Sequence, residues 1–358
     1  MTSSGLQPEL FENANAALEQ ALDYPKFRYM GSKHKLLPWI YNNLSDLKFD
    51  TVLDGFSGSG AVSYLFKAMG KKVISNDFLN FPAIITKATC ENSDTTLDKK
   101  DVDHILKNNP GKDNFIKQTF EGIFFTKEDL EFLDLAYWNI SKLNNEYKKA
   151  LALTCLFRSC LKKQPRGVFT VSGDLSNYND GRRDLKISLK THFLEQIKIF
   201  NSLVFSNGKN HFSVSGDIFE ININEKIDLV YFDPPYVPNS DDNCYTKRYH
   251  FLEGLSKYWK DEEILYDTKV KKIKKKYTPF SYRSQAIEAF DNLFYKFKNS
   301  IIVLSYSDNG FPDLEIIQEI LSKYKSEINV IKKPHRYHFG NHAAVKRSEV
   351  EEYLIIGK

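Results

Sequence analysis

Short, nearly continuous apolar runs alternate along this chain with longer stretches of helical period. The runs at Thr51–Asp54, Lys72–Asp77, Phe212–Asp217, Ile227–Asp233 and Ser300–Ser307 predict strands. They are separated by helical or inserted segments, which predicts an α/β fold with a parallel sheet. Between the first two strands, Ala61 to Met69 reads as a helix stopped by Gly70. The segment before Phe27 reads as an amphipathic helix started by Pro8, and no internal repeat is evident.

Two long stretches interrupt the alternation. The first runs from about Cys90 to Ser206. Its segment TKEDLEFLDLAYWNI places Leu130, Leu133, Tyr137 and Ile140 on one helical face, with Thr126 as N-cap. A second helix is expected to run to about Lys163. Turn signals follow at Pro165-Arg166-Gly167 and Asn179-Asp180-Gly181. Arg158, Lys162, Lys163, Arg166, Arg182, Arg183, Lys186 and Lys190 make this part basic. A solvated loop is the bland reading of such charge. The second stretch runs from about Pro238 to Asn299 and carries six lysines in the eight residues Lys269–Lys276. A flexible, exposed helix and a nucleic-acid contact are equally compatible with that run.

Composition adds bounds. At 358 residues and 42% hydrophobic content, the chain suffices for one large domain or two ordinary ones. Aromatics reach 14%, which suits a packed core or flat surfaces that stack on bases. The net charge of +4 is a weak argument for nucleic acid, so the distribution of charge matters more. None of the four cysteines forms a C-x-x-C pair, which points away from zinc and redox motifs and toward a reducing, cytoplasmic setting. The N-terminus lacks the basic and apolar regions of a signal peptide, and no run is long enough to span a bilayer, so no membrane partner is expected. His335, His338 and His342 invite a metal reading. Pro334 and Gly340 argue against one helix presenting them together, so no metal is expected. Arg336 and Lys346 make a phosphate contact the better reading.

Two short segments carry the chemistry. In Thr51–Gly70, TVLDGFSGSGAVSYLFKAMG, a strand leads through Gly55, Gly58 and Gly60 into a helix, and the next strand ends at Asp77. This is the order of a nucleotide-binding βαβ unit, but Asp54 precedes the first glycine. An acid there is awkward for a pyrophosphate and suits a ligand with an ammonium group. Asp77 is placed to accept from ribose hydroxyls. A ribose, an amino-acid head and no phosphate describe S-adenosylmethionine. A plain turn is the alternative. The second segment, DLVYFDPPYVPNS, ends an apolar run at Asp233-Pro234-Pro235-Tyr236. Prolines lack the donor that a sheet ladder needs, so the strand stops there. A carboxylate and a ring then flank a stiff loop that could hold something flat and polar.

Phe27-Arg28-Tyr29-Met30-Gly31-Ser32-Lys33, Asp54-Gly55-Phe56-Ser57-Gly58-Ser59-Gly60 and Asp233-Pro234-Pro235-Tyr236, in that order, resemble three motifs of the DNA adenine methyltransferases, specifically the Dam-like α-group. The resemblance covers about Phe27 to Tyr236 and the C-terminal strands. It implies a Rossmann-like class I methyltransferase core, mostly parallel with a C-terminal antiparallel hairpin, plus a largely helical DNA-recognition insertion. The core would comprise 1–89, 207–237 and 300–358, the recognition region 90–206, and a lysine-rich insertion 238–299. Tyr29 and Lys33 would border the cofactor pocket. Asp54, Gly58, Gly60 and Asp77 would hold S-adenosylmethionine, with Asp217 beside its adenine and Asp233 at its edge. Asp233 and the Pro234 carbonyl would accept hydrogen bonds from the amino group of a flipped-out adenine, and Tyr236 would stack on its ring. Arg158, Lys162, Arg166, Arg182, Arg183 and Lys186 would contact double-stranded DNA. The family usually has Trp and Gly where Tyr29 and Ser32 stand, and tyrosine keeps the aromatic wall. A cognate restriction endonuclease is a possible partner. The alternatives are an RNA adenine or protein glutamine methyltransferase, and a non-catalytic DNA-binding regulator.

Overall fold

A computed structural model describes residues 16–171, 180–238, 244–336 and 349–358. Seven strands form the main sheet: β1 (Thr51–Asp54), β2 (Lys72–Asp77), β3 (Phe212–Ser215), β4 (Leu229–Phe232), β5 (Ile301–Ser307), β6 (Ile328–Arg336) and β7 (Glu349–Gly357). Their order is β6-β7-β5-β4-β1-β2-β3. β1 pairs in parallel with β2 and β4, β2 with β3, and β4 with β5. β7 is inserted antiparallel between β5 and β6. The expected mostly parallel sheet with an antiparallel closing hairpin is therefore what forms. The middle strand β4 is buried throughout, as an apolar run covered on both faces must be.

The chain runs outward from β1 through β2 to β3, then returns to start β4 on β1's other side. At such a reversal the loops after the two strands part, leaving a crevice at their carboxyl ends. Asp54 ends β1, and Asp233 follows β4 directly.

Local sequence explains the elements around that crevice. The helix Ala61–Ala68 ends where Gly70 takes φ +75°. Gly70 N–H donates to the Lys67 carbonyl and Lys71 N–H to that of Phe66, a double closure only a left-handed residue allows. Thr126 caps Lys127–Ser141 by accepting from Asp129 N–H at 3.3 Å. Leu130, Leu133 and Ile140 are buried as their spacing predicted. Glu146–Lys163 follows, and Leu189–Ser202 packs beside it. The region is largely helical, and its apolar residues join one continuous cluster with one face of the sheet, where Phe81 meets Phe157 edge-on at 6.0 Å. Residues 16–22 are helical, and Pro8 lies outside the described residues.

The lysine run departs from the helical alternative. Lys272–Ile273 pairs antiparallel with Ile264–Leu265. Val270 and Ile273 are 2% and 1% exposed, so they anchor the run while its lysines turn outward or into ion pairs. Within the same stretch, the helix Tyr245–Ser256 is buried along most of its length.

Candidate active site

A cavity of about 320 Å³ opens at the carboxyl ends of β1, β2 and β4. That is the lower end of the range for small-ligand sites. Its wall includes Tyr29, Lys33, Asp54, Gly58, Asp77 and Asp233, brought together from four separate parts of the chain.

The glycine loop is shaped by close approach. Gly58 has φ +49°, and a Cβ there would lie 2.9 Å from the Tyr29 ring. Gly60 has φ +79°, and its Cβ would meet the Tyr24 hydroxyl at 2.7 Å. Gly60 thus shapes the loop without lining the cavity. Asp77 fixes the loop from the side, accepting from Gly58 N–H at 2.8 Å and Leu79 N–H at 2.9 Å. A carboxylate has roughly four acceptor positions, so Asp77 retains capacity for a ligand. Asp54 is 1% exposed and accepts from Ser63 Oγ at 2.6 Å. Its Oδ1 is buried and makes no hydrogen bond of normal geometry, although the Phe56 amide is close.

Burial is the main cause that pushes Asp54 and Asp77 up to about 7, and the neighbouring Asp233 charge adds to the rise at Asp54. Burial also raises Asp233, to about 6, against the pull of Lys33, whose Nζ lies 3.0 Å from its Oδ1. Lys33 is 4% exposed and sits 3.8 Å from the fully buried Glu352 of β7. One ammonium thus lies within ion-pair distance of two carboxylates. A cationic ligand would relieve the crowded acids.

A stability prediction follows. Asp54 and Asp77 ionise near 3.8 when unfolded and near 7 when folded. Between those values the native state binds more protons, so stability falls as pH rises from about 4 to 7 and the penalty is complete above that. The melting temperature of the ligand-free protein should rise on going from pH 8 to pH 6. Asp54→Asn should flatten that dependence in a thermal-shift series. An equal slope in both proteins would refute the assignment.

The first motif is held by tyrosines that the sequence reading did not single out. Tyr249 Oη accepts from Met30 N–H at 2.7 Å, and Tyr245 Oη donates to the Met30 carbonyl at 3.2 Å. The Tyr29 ring stacks on Tyr249 at 4.7 Å and 10°. Their four-residue spacing on one helix was the available signal. Glu352 gave none, because EVEEYLIIGK holds three glutamates and charge alone does not reveal which of them turns inward.

Besides Gly60, three expected site residues lie apart from the cavity wall. Tyr236 packs edge-on against Tyr306 at 5.2 Å. Pro234 is buried within the loop. Asp217 caps a turn beyond β3, accepting from Phe219 N–H at 3.0 Å.

A sequence profile described as D12 class N6 adenine-specific DNA methyltransferase matches residues 29–308. The chain belongs to this family. It is 32% identical over 328 residues to the type II methyltransferase M2.HphI of Haemophilus parahaemolyticus, covering 88% of this chain and 92% of that protein. It is 27% identical to M.FokI of Planomicrobium okeanokoites over 92% of this chain, which spans 52% of that longer protein. The type II methyltransferase M.NlaIII of Neisseria lactamica is 24% identical, over 83% of this chain and 88% of its own length. The activity class is therefore methyl transfer to adenine N6 in DNA, which sets aside the RNA and glutamine alternatives. Enzymes of this family generally draw the methyl group from S-adenosylmethionine.

In this D12 chain the basic segment divides into tied and outward groups. Arg158 is bonded to Gln196 and lies 6.0 Å from the Phe27 ring centroid. Lys162 pairs with Asp184 at 3.0 Å, and Arg182 with Asp180 at 2.7 Å. Arg183 is bonded to Glu195 yet 62% exposed. Arg166 and Lys186 are exposed. Arg28, beside Tyr29, donates to the carbonyls of Lys162 and Gln164 at 2.7 and 2.9 Å and pairs with Asp184 at 2.9 Å, joining the first motif to this segment. Among the described residues, no group of His, Cys, Asp and Glu could hold a metal ion, and no helix is long and apolar enough to cross a membrane. His338, His342 and Lys346 lie outside the described residues.

Proposed function

We propose that this cavity binds S-adenosylmethionine and that Asp233 presents a flipped-out adenine to it, making the chain the modification enzyme of a restriction system. The observation that carries the reading is the pairing of buried Lys33 with the partly exposed Asp233 at the edge of an acid-lined cavity at the sheet's reversal point. S-adenosylmethionine supplies an electrophilic methyl group on a positively charged sulfur. Asp54 faces its amino-acid end, and the unsatisfied Oδ1 fits a cationic donor. Asp77 accepts from ribose hydroxyls. Gly58 keeps the loop close, and the Tyr29 ring beside it forms part of the wall.

The amino group of adenine is a poor nucleophile because its lone pair is delocalised into the ring. Asp233 and the Pro234 carbonyl accept its two N–H bonds, which draws the lone pair out of conjugation and aims it. Lys33 fixes the carboxylate for that task. Stacking by Tyr236 places the base on the Tyr306 side of the loop, beyond Asp233. Of the six basic residues expected at DNA, Arg166, Arg183 and Lys186 are the exposed ones, while Arg158, Lys162 and Arg182 support the segment that carries them. The test is sequencing with modification-sensitive reads of genomic DNA from a host expressing this gene. Methylated adenines at one recurring sequence are expected. DNA carrying no new adenine modification would refute the reading.

A further inference from the structure

The stretch from Lys275 to Tyr282 contributes one wall of the cavity, and its two tyrosines are solvent-facing. Tyr277 is 63% exposed and Tyr282 37%, yet both line the cavity that holds Asp54 and Asp233. Exposed tyrosines concentrate here. Among the described residues they are Tyr266, Tyr277, Tyr282 and Tyr295, so all but one lie within 266–282.

The wall is firmly seated. Phe280 is 1% exposed, stacks on Phe219 at 5.7 Å and 12°, and meets Phe56 and Phe290 edge-on at 5.4 Å each. Tyr282 accepts from Ala286 N–H at 2.8 Å, at the start of the helix Arg283–Lys296. Lys276 pairs with Glu262 at 2.9 Å and with the buried Glu253 at 3.3 Å. Glu253 also accepts from Asn80 N–H at 2.8 Å, next to the loop that follows Asp77. Held this way, the two rings stand 5.5 Å apart at 48°. That tilt prevents full face-to-face contact, so ring face is left available to a third flat group. The lysine run leads directly into them, and interleaved basic and aromatic residues suit an unpaired nucleotide.

We infer that Tyr277 and Tyr282 receive a nucleobase of the DNA at the cavity mouth, stacking on it as it leaves the duplex for Asp233. This rests on the cavity being the methylation site. The rings are assigned to DNA and not to the methyl donor because the groups suited to the donor, Asp54, Asp77 and Gly58, are buried, whereas these rings meet solvent. They add to the loop itself a part of the 238–299 stretch as a positioning surface.

The test uses the full chain and a duplex containing the mapped site, with 2-aminopurine replacing the target adenine for the binding arm. Tyr277→Ala and Tyr282→Ala should each lower kcat/KM for DNA roughly 5- to 150-fold. They should also reduce the fluorescence rise that reports extrusion of the base. Affinity for S-adenosylmethionine and the melting temperature should be unchanged. Tyr→Phe at either position should recover most of the loss, since it restores the ring. Alanine variants as efficient as the parent would overturn the inference, as would phenylalanine variants equally damaged. Weakened S-adenosylmethionine binding in step with lost activity would assign the rings to the donor instead. Failure of the underlying reading looks different: the parent protein itself would methylate no DNA.

Discussion

Asp233→Ala is expected to lower kcat for adenine methylation by at least about 10²–10³-fold, the effect of removing one well-placed polar group from developing charge. The amino group loses its charged acceptor, while Asp54, Asp77 and the glycine loop remain to bind S-adenosylmethionine. Lys33 keeps Glu352 at 3.8 Å, so the variant should fold. Asp233→Asn keeps one carbonyl acceptor without the charge and should fall between. The wild-type pH profile belongs to the same group. Burial lifts Asp233 to about 6, and only the ionised form is a full acceptor, so activity should decline as pH falls through about 6. An unperturbed aspartate would place that limb near 3.8. Single-turnover rates against pH would check both points. Near wild-type turnover in the alanine variant would remove Asp233 from the chemistry.

Lys33→Met should give the largest loss of stability. The methionine fills much of the same volume but takes the ammonium away from Asp233, which is 19% exposed, and from the fully buried Glu352. Breaking a buried ion pair by removing one partner costs about 3–5 kcal/mol. The cost should be smaller at low pH, where protonating Asp233 removes its charge. Asp233 would also lose the cation that holds its pKa down, so the acid limb of activity should move above pH 6. Urea unfolding at pH 5 and pH 8, beside a pH–rate profile, would test this. A variant with unchanged stability at both pH values would show that Lys33 is not the buried partner of these carboxylates.

Much of this protein is written locally. The apolar run of β1, the positive-φ positions at Gly58 and Gly60, the helix stop at Gly70 and the Thr126 cap each depend on a few adjacent residues, and each was legible. Asp233-Pro234-Pro235-Tyr236 announced its own strand end because proline cannot donate to a ladder. With the glycine loop and the Lys33 motif in order, these segments also pointed to the family. Other features were decided only when distant segments met. Lys33 finds Glu352 because β7 inserts antiparallel beside β5, a pairing that strand periodicity does not encode. The lysine run reads as a helix or a loop from charge alone. It becomes a hairpin and cavity wall because Val270, Ile273 and Phe280 find apolar partners elsewhere. Arg158 has the same residue type as Arg166 in the same basic segment, yet one is tied to Gln196 and the other meets solvent. Local sequence fixes backbone conformation through sterics and hydrogen-bond capacity. Which charge is buried, and against what, depends on packing between elements, and that is settled only by the fold.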